Sequence, residues 1–387
     1  MLNQEMTLLR LEQRNSATQT RHSVEVYRHP DEFPTDVIKL FSKSEQMNFQ
    51  LGLPWMLNLV KTVYQDHDGV NIYVLRREGH PIAVLPILAT KMTIGWQVQA
   101  LVNYYTSFFE PVIETEADIS PLIQAVLKAH APVISLRFSP MNPASATYQH
   151  LKNALQANRL RPFDFFCFGN WYLEVSDDWS AYFKCRTGAL RNTIKRMTKK
   201  FEAEGGAMDL QRDSLNLPEA LEAYQKVYAA SWKEAEPYPE FIPGLIRMCA
   251  DQGTLRLGIA RSNGQAIAAQ LWVVVNKKAF IFKVAYDENF KSYAPGTLVT
   301  AMLMKHVLEH DQVTEVDFLT GDDSYKKNWM SHRRERWGII AYNPKTLGGA
   351  AGFVKEVLGR ILRTVIYMLR HFFEKKFPKR SGNSKSH

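Results

Sequence analysis

The stretch TLRLGIARSNGQAIAAQLWVVVNKKAFIFKVAYD, residues 254–287, constrains this chain more than any other. Its apolar runs break at Asn263-Gly264 and Asn276-Lys277, pairs suited to tight turns, so it reads as a three-stranded meander. Just beyond it, at Ala294-Pro295-Gly296-Thr297, a polar segment gives way to a helical pattern. Pro fixes φ and Gly has no side chain, so a helix over Thr297–His310 opens with uncovered amides. The strand TEVDFLTG then closes an α/β unit.

The first half of the chain follows the same logic. FPTDVIKLFSK and PWMLNLVKTVYQ carry apolar residues at helical spacing. VNIYVLRREGHPIAVLPILAT reads as a hairpin, Val70–Arg76 and Ile82–Ala89, turning at Glu78-Gly79. WQVQALVN is a strand, ISPLIQAVLKAH a helix and PVISLRFS a strand. In the second half WYLEV is a strand, and GALRNTIKRMTKKFEAEGG is a helix stopped by Gly205-Gly206. PEALEAYQKVYAASWKEA and PEFIPGLIRMCADQG are further helices before the meander. Two α/β units of similar element order point to a duplicated fold with its boundary near 150–168, although no residue-level repeat is visible.

With 387 residues, 45% hydrophobic and 22% charged, the composition is that of a soluble globular protein of about two domains. Cys167, Cys185 and Cys249 are widely spaced and read as reduced thiols, with no metal-ligand set. Residues 1–22 lack the order of a signal peptide and read as a flexible lead-in, and no uncharged apolar run is long enough to span a bilayer. The net charge of +9 is concentrated at the end: Ala350–His387 holds nine Lys/Arg against two Glu, +7 of that total. A nearly neutral body argues against a DNA-binding face.

Three stretches carry candidate chemistry. The strand at Ala279–Ala285, followed by Pro-Gly and a helix, is either an anion site for a pyrophosphate or a plain strand-to-helix turn. TEVDFLTGDDSYKKNW places Asp317 in an apolar strand, where a carboxylate must be paired or used. Asp317 is read as a general base or, equally, as a structural carboxylate bonded to loop amides. Tyr325 would protonate a leaving thiolate or pack on Trp329. The third stretch, Lys184–Lys200, has seven basic residues and no acid, with Arg191, Lys195 and Lys199 on one helix face. That face is either solvated or captures an anionic group. No G-x-S-x-G elbow, P-loop, H-E-x-x-H or Cys/His cluster occurs.

VAYDENFKSYAPGTLV and VDFLTGDDSYKKNW together resemble the closing region of FemAB-like GNAT acyltransferases, nearest the cellulose-biosynthesis (CelD-like) acetyltransferase branch. That pattern falls on Tyr286, Asp287, Pro295, Gly296, Asp317, Phe318, Gly321, Tyr325, Lys326 and Trp329. Upstream, Ser231-Trp232-Lys233 and the basic helix at Arg191–Lys200 match, as do FQLGLPW, PIAVLPI and LVNYYTSFFEPV in the first half, so the likeness spans roughly residues 25–345. SYAPGT stands where ordinary GNAT enzymes have a Gln/Arg-x-x-Gly-x-Gly/Ala loop.

The resemblance implies a tandem GNAT-like α/β (α+β) fold of mixed sheets flanked by helices. Its halves would fall at 23–160 and 165–345. It implies acetyl-CoA, or another acyl-CoA, as a co-substrate with no permanently bound cofactor, and a saccharide, amine or hydroxyl acceptor attacking the thioester directly. Tyr293, Pro295, Gly296, Thr297 and Leu298 would hold the donor. Asp317 would act as base or orienting group and Tyr325 as leaving-group acid. Arg191, Lys195, Trp232, Lys233, Asp287, Gly321, Asp322, Lys326 and Trp329 would bind substrate. A Fem-like transfer from aminoacyl-tRNA is a rival that the near-neutral body disfavours. A non-catalytic adaptor of a polysaccharide-secretion complex is another.

The segment 350–387 reads as a basic amphipathic helix, with Val354, Leu358, Ile361, Val365, Leu369 and Phe372 at helical spacing among Arg360, Arg363, Arg370 and Lys375. Packing on the body or a dimer partner competes with contact to an anionic membrane surface, which the aromatic content and charge favour. The expected location is cytoplasmic, peripheral at the inner face of the plasma membrane.

Overall fold

The computed structural model describes residues 11–13, 21–65, 67–114 and 117–376, with the backbone alone for 11–13 and 369–376. Most of the lead-in expected over 1–22 lies outside the described residues, as do 377–387 and the side chains of Leu369, Arg370, Phe372 and Lys375 in the tail.

The first half comprises β1 (Leu11–Gln13), β2 (His22–Tyr27), α1 (Thr35–Met47), α2 (Leu53–Val63), β3 (Val70–Arg77), β4 (His80–Met92), β5 (Gly95–Ala100), β6 (Val112–Ile113), α3 (Ser120–Ala129), β7 (Val133–Met141), α4 (Ala146–Ala157) and β8 (Arg161–Glu174). The second comprises α5 (Trp179–Lys184), α6 (Gly188–Ala203), β9 (Gly206–Gln211), α7 (Leu217–Ala229), α8 (Phe241–Asp251), β10 (Leu255–Ser262), β11 (Gln265–Val275), β12 (Lys278–Tyr286), α9 (Pro295–Glu309), β13 (Glu315–Asp317), β14 (His332–Tyr342) and α10 (Leu347–Lys376). Three hairpins turn where the sequence predicts, at Glu78-Gly79, Asn263-Gly264 and Asn276-Lys277. All six residues have positive φ, between 45° and 85°. That left-handed pair gives a two-residue turn the twist of its flanking strands.

Several elements differ from the sequence reading. Helix α4, capped by Ser145 Oγ on the Tyr148 amide, and strands β9 and β14 were not expected. WYLEV is only the end of the 14-residue β8. Strand β14 hides in HRRERWGIIAY because its charges mask the alternation. The fold neutralises them, pairing Arg333 with Asp322 and Arg334 with Glu315 and Asp317. Helix α7 stops at Ala229 instead of running through Ser231-Trp232-Lys233. Ser231 Oγ donates to the Tyr228 carbonyl at 2.7 Å, which turns the chain out of the helix. TEVDFLTG keeps only Glu315–Asp317 as strand, because Asp317 Oδ1 captures the Leu319 amide and Leu319 takes φ 52°.

The expected mixed sheets are joined into one of fourteen strands, ordered β1-β2-β3-β4-β5-β7-β14-β8-β13-β12-β11-β10-β9, with β6 beside β4. Reading inward from β2 or from β9 gives the same sequence of pairings. Four antiparallel strands come first, then one parallel partner, β7 on β5 or β13 on β12. A sixth strand follows that belongs to the other half, β14 on β7 or β8 on β13. The halves thus exchange their last strands. Helices α1 and α2 share one core with α7, α8 and β10–β12, sealed by Trp55 edge-on to Phe241 at 5.2 Å. A second core lies under the first half, and a third joins α6 and α9 to the second.

Candidate active site

A parallel pair can stay joined only as far as both strands stay extended. β12 and β13 pair at Lys278–Glu315, Ala279–Val316 and Phe280–Asp317, and there β13 turns away at Leu319. β12 continues to Tyr286 with that edge open. A cavity of about 650 Å³ fills the gap. One wall is Ile281–Val284 and Tyr286 of β12, and another is the first turn of α9 at Gly296, Thr297 and Thr300. Phe318, Leu319, Tyr325, Lys326 and Trp329 close the opposite side. Trp232 and Lys233 reach in from the turn after α7, and Tyr104, Tyr105 and Ser107 come from the first half.

The start of α9 is less bare than the sequence implies. Ala294 has φ 51°, and its carbonyl already accepts from the Thr297 and Leu298 amides at 2.9 and 3.2 Å. Among the described residues, Gly296 N–H is the early amide with no partner, since Pro295 has none to offer. No side chain caps this end. Gln270 Nε2 braces the turn, donating to the Gly296 carbonyl at 2.7 Å and Thr300 Oγ1 at 2.8 Å. Of the residues expected to hold the donor, Gly296 and Thr297 face the cavity. Leu298 and Pro295 are buried in the core, and Tyr293 points away to Glu204.

Asp317 is almost fully buried, at 1% exposure, and does not line the cavity. Its Oδ1 accepts from Asn170 Nδ2 and the Leu319 amide, both at 2.6 Å. Its Oδ2 is held by Arg334, with Arg336 4.0 Å away. Of the two readings left open for this carboxylate, this geometry favours the structural one: Oδ1 accepts two hydrogen bonds, Oδ2 is held by Arg334, and the group lies outside the cavity lining.

Other candidates divide by position. Tyr325 stands at the cavity edge with its ring edge-on to Phe318 at 5.7 Å, and burial followed by the Asp323 charge pushes its phenol up to about 12. Lys326 is buried beneath it, donating to the carbonyls of Thr320 and Gly321 and lying 3.2 Å from Asp323. Gly321 has φ 102°, and a Cβ there would meet Lys326 Nζ at 3.3 Å. Trp232 stacks at a tilt on Tyr286, 4.7 Å between centroids. Trp329 forms part of the buried floor. Asp287 caps the turn before α9 through the Asn289 amide, and Asp322 is bound by Arg333 and Trp171. Neither faces the cavity. Arg191 and Lys195 lie on α6, away from its lining.

The structure adds residues the sequence reading missed. Lys283 interrupts the apolar strand AFIFKVAY, the same signal that drew attention to Asp317. It pairs with Glu236 at 2.8 Å and lies 4.8 Å from the Tyr105 ring centroid. Glu236 Oε2 also accepts from Tyr105 at 2.5 Å. Burial alone would raise the Glu236 carboxyl, but the hydrogen bonds from Lys283 and Tyr105 hold it below the usual range. Burial pulls Lys283 and Lys326 down against their carboxylate partners. Lys233 falls to about 8, through burial first and the Lys283 charge second. Gln50, in FQLGLPW, secures the first-half wall by accepting from the Ser107 and Phe108 amides, both at 3.0 Å, and donating to the Tyr105 carbonyl at 3.1 Å.

Residues 188–327 match the profile of the acetyltransferase (GNAT) domain family. Among solved structures, that of FemX aligns with a TM-score of 0.55 at 10% identity, covering 77% of this chain and 93% of that one. A conserved protein of unknown function from Bacteroides thetaiotaomicron aligns with a TM-score of 0.50 at 13% identity, covering 79% and 95%. No curated protein matches the chain. At these identities the structural likeness concerns the fold. The chain therefore has a mixed α/β GNAT-like fold and carries a GNAT-type acetyltransferase domain that contains most of the cavity wall.

Proposed function

We propose that the protein transfers an acyl group, acetyl in the simplest case, from acyl-CoA to an amine or hydroxyl acceptor in the cavity beside β12. The observation that carries this reading is the gap between β12 and β13, flanked by an uncapped helix start. A linear thiol arm would lie along the apolar strip of Ile281, Phe282, Phe318 and Leu319, with the diphosphate near the Gly296 amide and the Thr297 hydroxyl. Backbone N–H groups on the open edge of β12 would take the oxyanion, in a site flanked by Trp232 and Tyr104. Tyr325, protonated throughout the working range, would donate to the departing sulfur.

The aromatic wall of Trp232, Tyr286 and Tyr104 suits the apolar face of a sugar ring. This supports a saccharide acceptor of the cell envelope or an exopolysaccharide, as the CelD-like resemblance implies. Titration calorimetry with acetyl-CoA tests the donor. Saturable heat at a stoichiometry of one is expected. Absence of heat would shift the reading to an aminoacyl-tRNA user or an adaptor.

The tail supports a peripheral membrane role. α10 is fastened near its start, with Phe353 5.7 Å from Phe163 and Arg360 Nη2 donating to the Asp164 carbonyl at 2.6 Å. Every side chain from Ile361 to Met368 is exposed, including Leu362 and Ile366. No helix among the described residues is long and apolar enough to cross a membrane. Deleting 361–387, beyond the fastened turns, should abolish sedimentation with anionic vesicles, and retained sedimentation would exclude the tail as anchor.

A further inference from the structure

Three ammonium groups share the cavity, and their surroundings differ. Lys283 is tied to Glu236, and Lys326 to two carbonyls and Asp323. Lys233 Nζ lies 5.8 Å from the ring centroids of both Tyr228 and Trp232 and, among the described residues, has no acceptor within hydrogen-bond reach. Two of the three are fixed charges; the third is free to exchange its proton.

We propose that Lys233 is the general base of the transfer reaction, an inference that rests on the acyl-CoA reading of the cavity. The rival bases are committed elsewhere. Asp317 is enclosed by Asn170, Arg334 and the Leu319 amide. Glu236 accepts from Lys283 through one oxygen and from Tyr105 through the other. Asp323 is the partner of Lys326, and Tyr325 is held protonated. The charges facing Lys233 are therefore Lys283 from β12, Glu236 from its own loop, and Asp323 and Lys326 from the segment after β13. The two carboxylates favour its charged form, yet each serves another lysine, and burial with the Lys283 charge prevails. With an ionisation near pH 8, about a quarter of the molecules carry a neutral Lys233 amine at pH 7.5.

The step balances without any added reagent. The acceptor's nitrogen or oxygen forms a bond to the thioester carbonyl carbon while its proton passes to the Lys233 lone pair. The carbon–sulfur bond then breaks, and the sulfur leaves as a thiol with a proton from Tyr325 or water. The Lys233 ammonium then releases its proton, which restores the one given up by Tyr325 or water. The acceptor is thus a neutral amine or a hydroxyl, each of which brings a lone pair for the attack and one proton for Lys233 to take.

Trace labelling of the full-length protein with acetic anhydride, read lysine by lysine by mass spectrometry between pH 6 and 11, tests the protonation state with no acceptor present. Lys233 should react with a midpoint near 8, well below the ordinary lysine value of 10.5. A midpoint near that of exposed lysines overturns the assignment. Thiol release from acetyl-CoA with excess D-glucosamine as probe amine then tests the role. The rate should rise with pH through the same midpoint, fall at least about 100-fold in Lys233→Arg, and recover in part when ethylamine is added to Lys233→Ala. A Lys233→Arg protein that keeps its rate would mean that only the charge matters, which also overturns it. Calorimetry keeps the two claims apart: acetyl-CoA heat with a high labelling midpoint sinks the base alone, whereas a low midpoint without heat sinks the acyl-CoA reading.

Discussion

The two parallel pairs of the sheet, β5 with β7 and β12 with β13, occupy equivalent places, yet one gap is sealed and the other is open. After β5 the chain runs through a long connection, 101–119, before α3. That connection closes its own gap: the Phe109 amide donates to the Pro140 carbonyl at 2.7 Å, and its ring stacks on Phe138. On its other side, facing α1 and α2, the connection borders a cavity of only about 30 Å³. After β12 the connection is short, 287–294, and folds away from the gap onto α6, where Tyr293 meets Phe201. The same first-half connection supplies Tyr104, Tyr105 and Ser107 to the open cavity. One half has filled its cleft and lent the filling to its neighbour as a wall.

Substitutions at three positions test this contrast. Phe109→Ala removes the ring that fills the first gap, and unfolding by urea should show a loss of about 4 kcal/mol. Acetyl-CoA stoichiometry should nevertheless stay at one; a second site would mean that the halves differ only in their plug. Next in size is Asp317, which holds the chain where the second gap begins. Asp317→Ala leaves Arg334 with Glu315 alone and takes from Arg336 the carboxylate beside it, for an expected loss of about 3 kcal/mol. Asp317→Asn should cost less, because its carbonyl still accepts the Leu319 amide. Full stability with lost turnover in Asp317→Asn would return this residue to the chemistry.

The smallest effect concerns the open cavity itself. Lys233 ionises at its ordinary value of 10.5 when unfolded and near 8 when folded, so its charged form is disfavoured in the native state. Well below pH 8 it is protonated in both states and the penalty is complete. Between the two values the unfolded chain binds more protons, so wild-type stability rises with pH. Lys233→Met should therefore be more stable than wild type by about 2 kcal/mol at pH 7, an advantage that shrinks steadily as pH approaches 10. A constant difference in melting temperature from pH 6.5 to 9.5 would show that Lys233 is not desolvated.

Much of this architecture is legible in the sequence because it depends on local chemistry. Asn-Gly and Glu-Gly pairs fix hairpins, and apolar spacing fixes α1, α2 and α9. Pro295-Gly296 marks a helix start wherever that helix is placed. β14 and the ends of α7 and β13 were not legible, since each is decided by a partner distant in the chain. Arg334 and Arg336 are tolerated in a central strand only because Asp317 and Asn170 face them from β13 and β8. Ser231 ends a helix whose pattern would have continued, and by doing so delivers Trp232 and Lys233 to the cavity.

The sequence by itself determined the kind of elements, their order and the repeated strand–helix–strand plan, because these follow from periodicity and turn residues within a few positions of one another. Which carboxylate is enclosed, which cavity lysine lacks an acceptor among the described residues and which of two equivalent gaps is hollow were decided by tertiary structure alone. Each depends on desolvation and on pairing between groups more than a hundred residues apart, such as Asn170 with Asp317 and Tyr105 with Glu236. No local pattern records such neighbours.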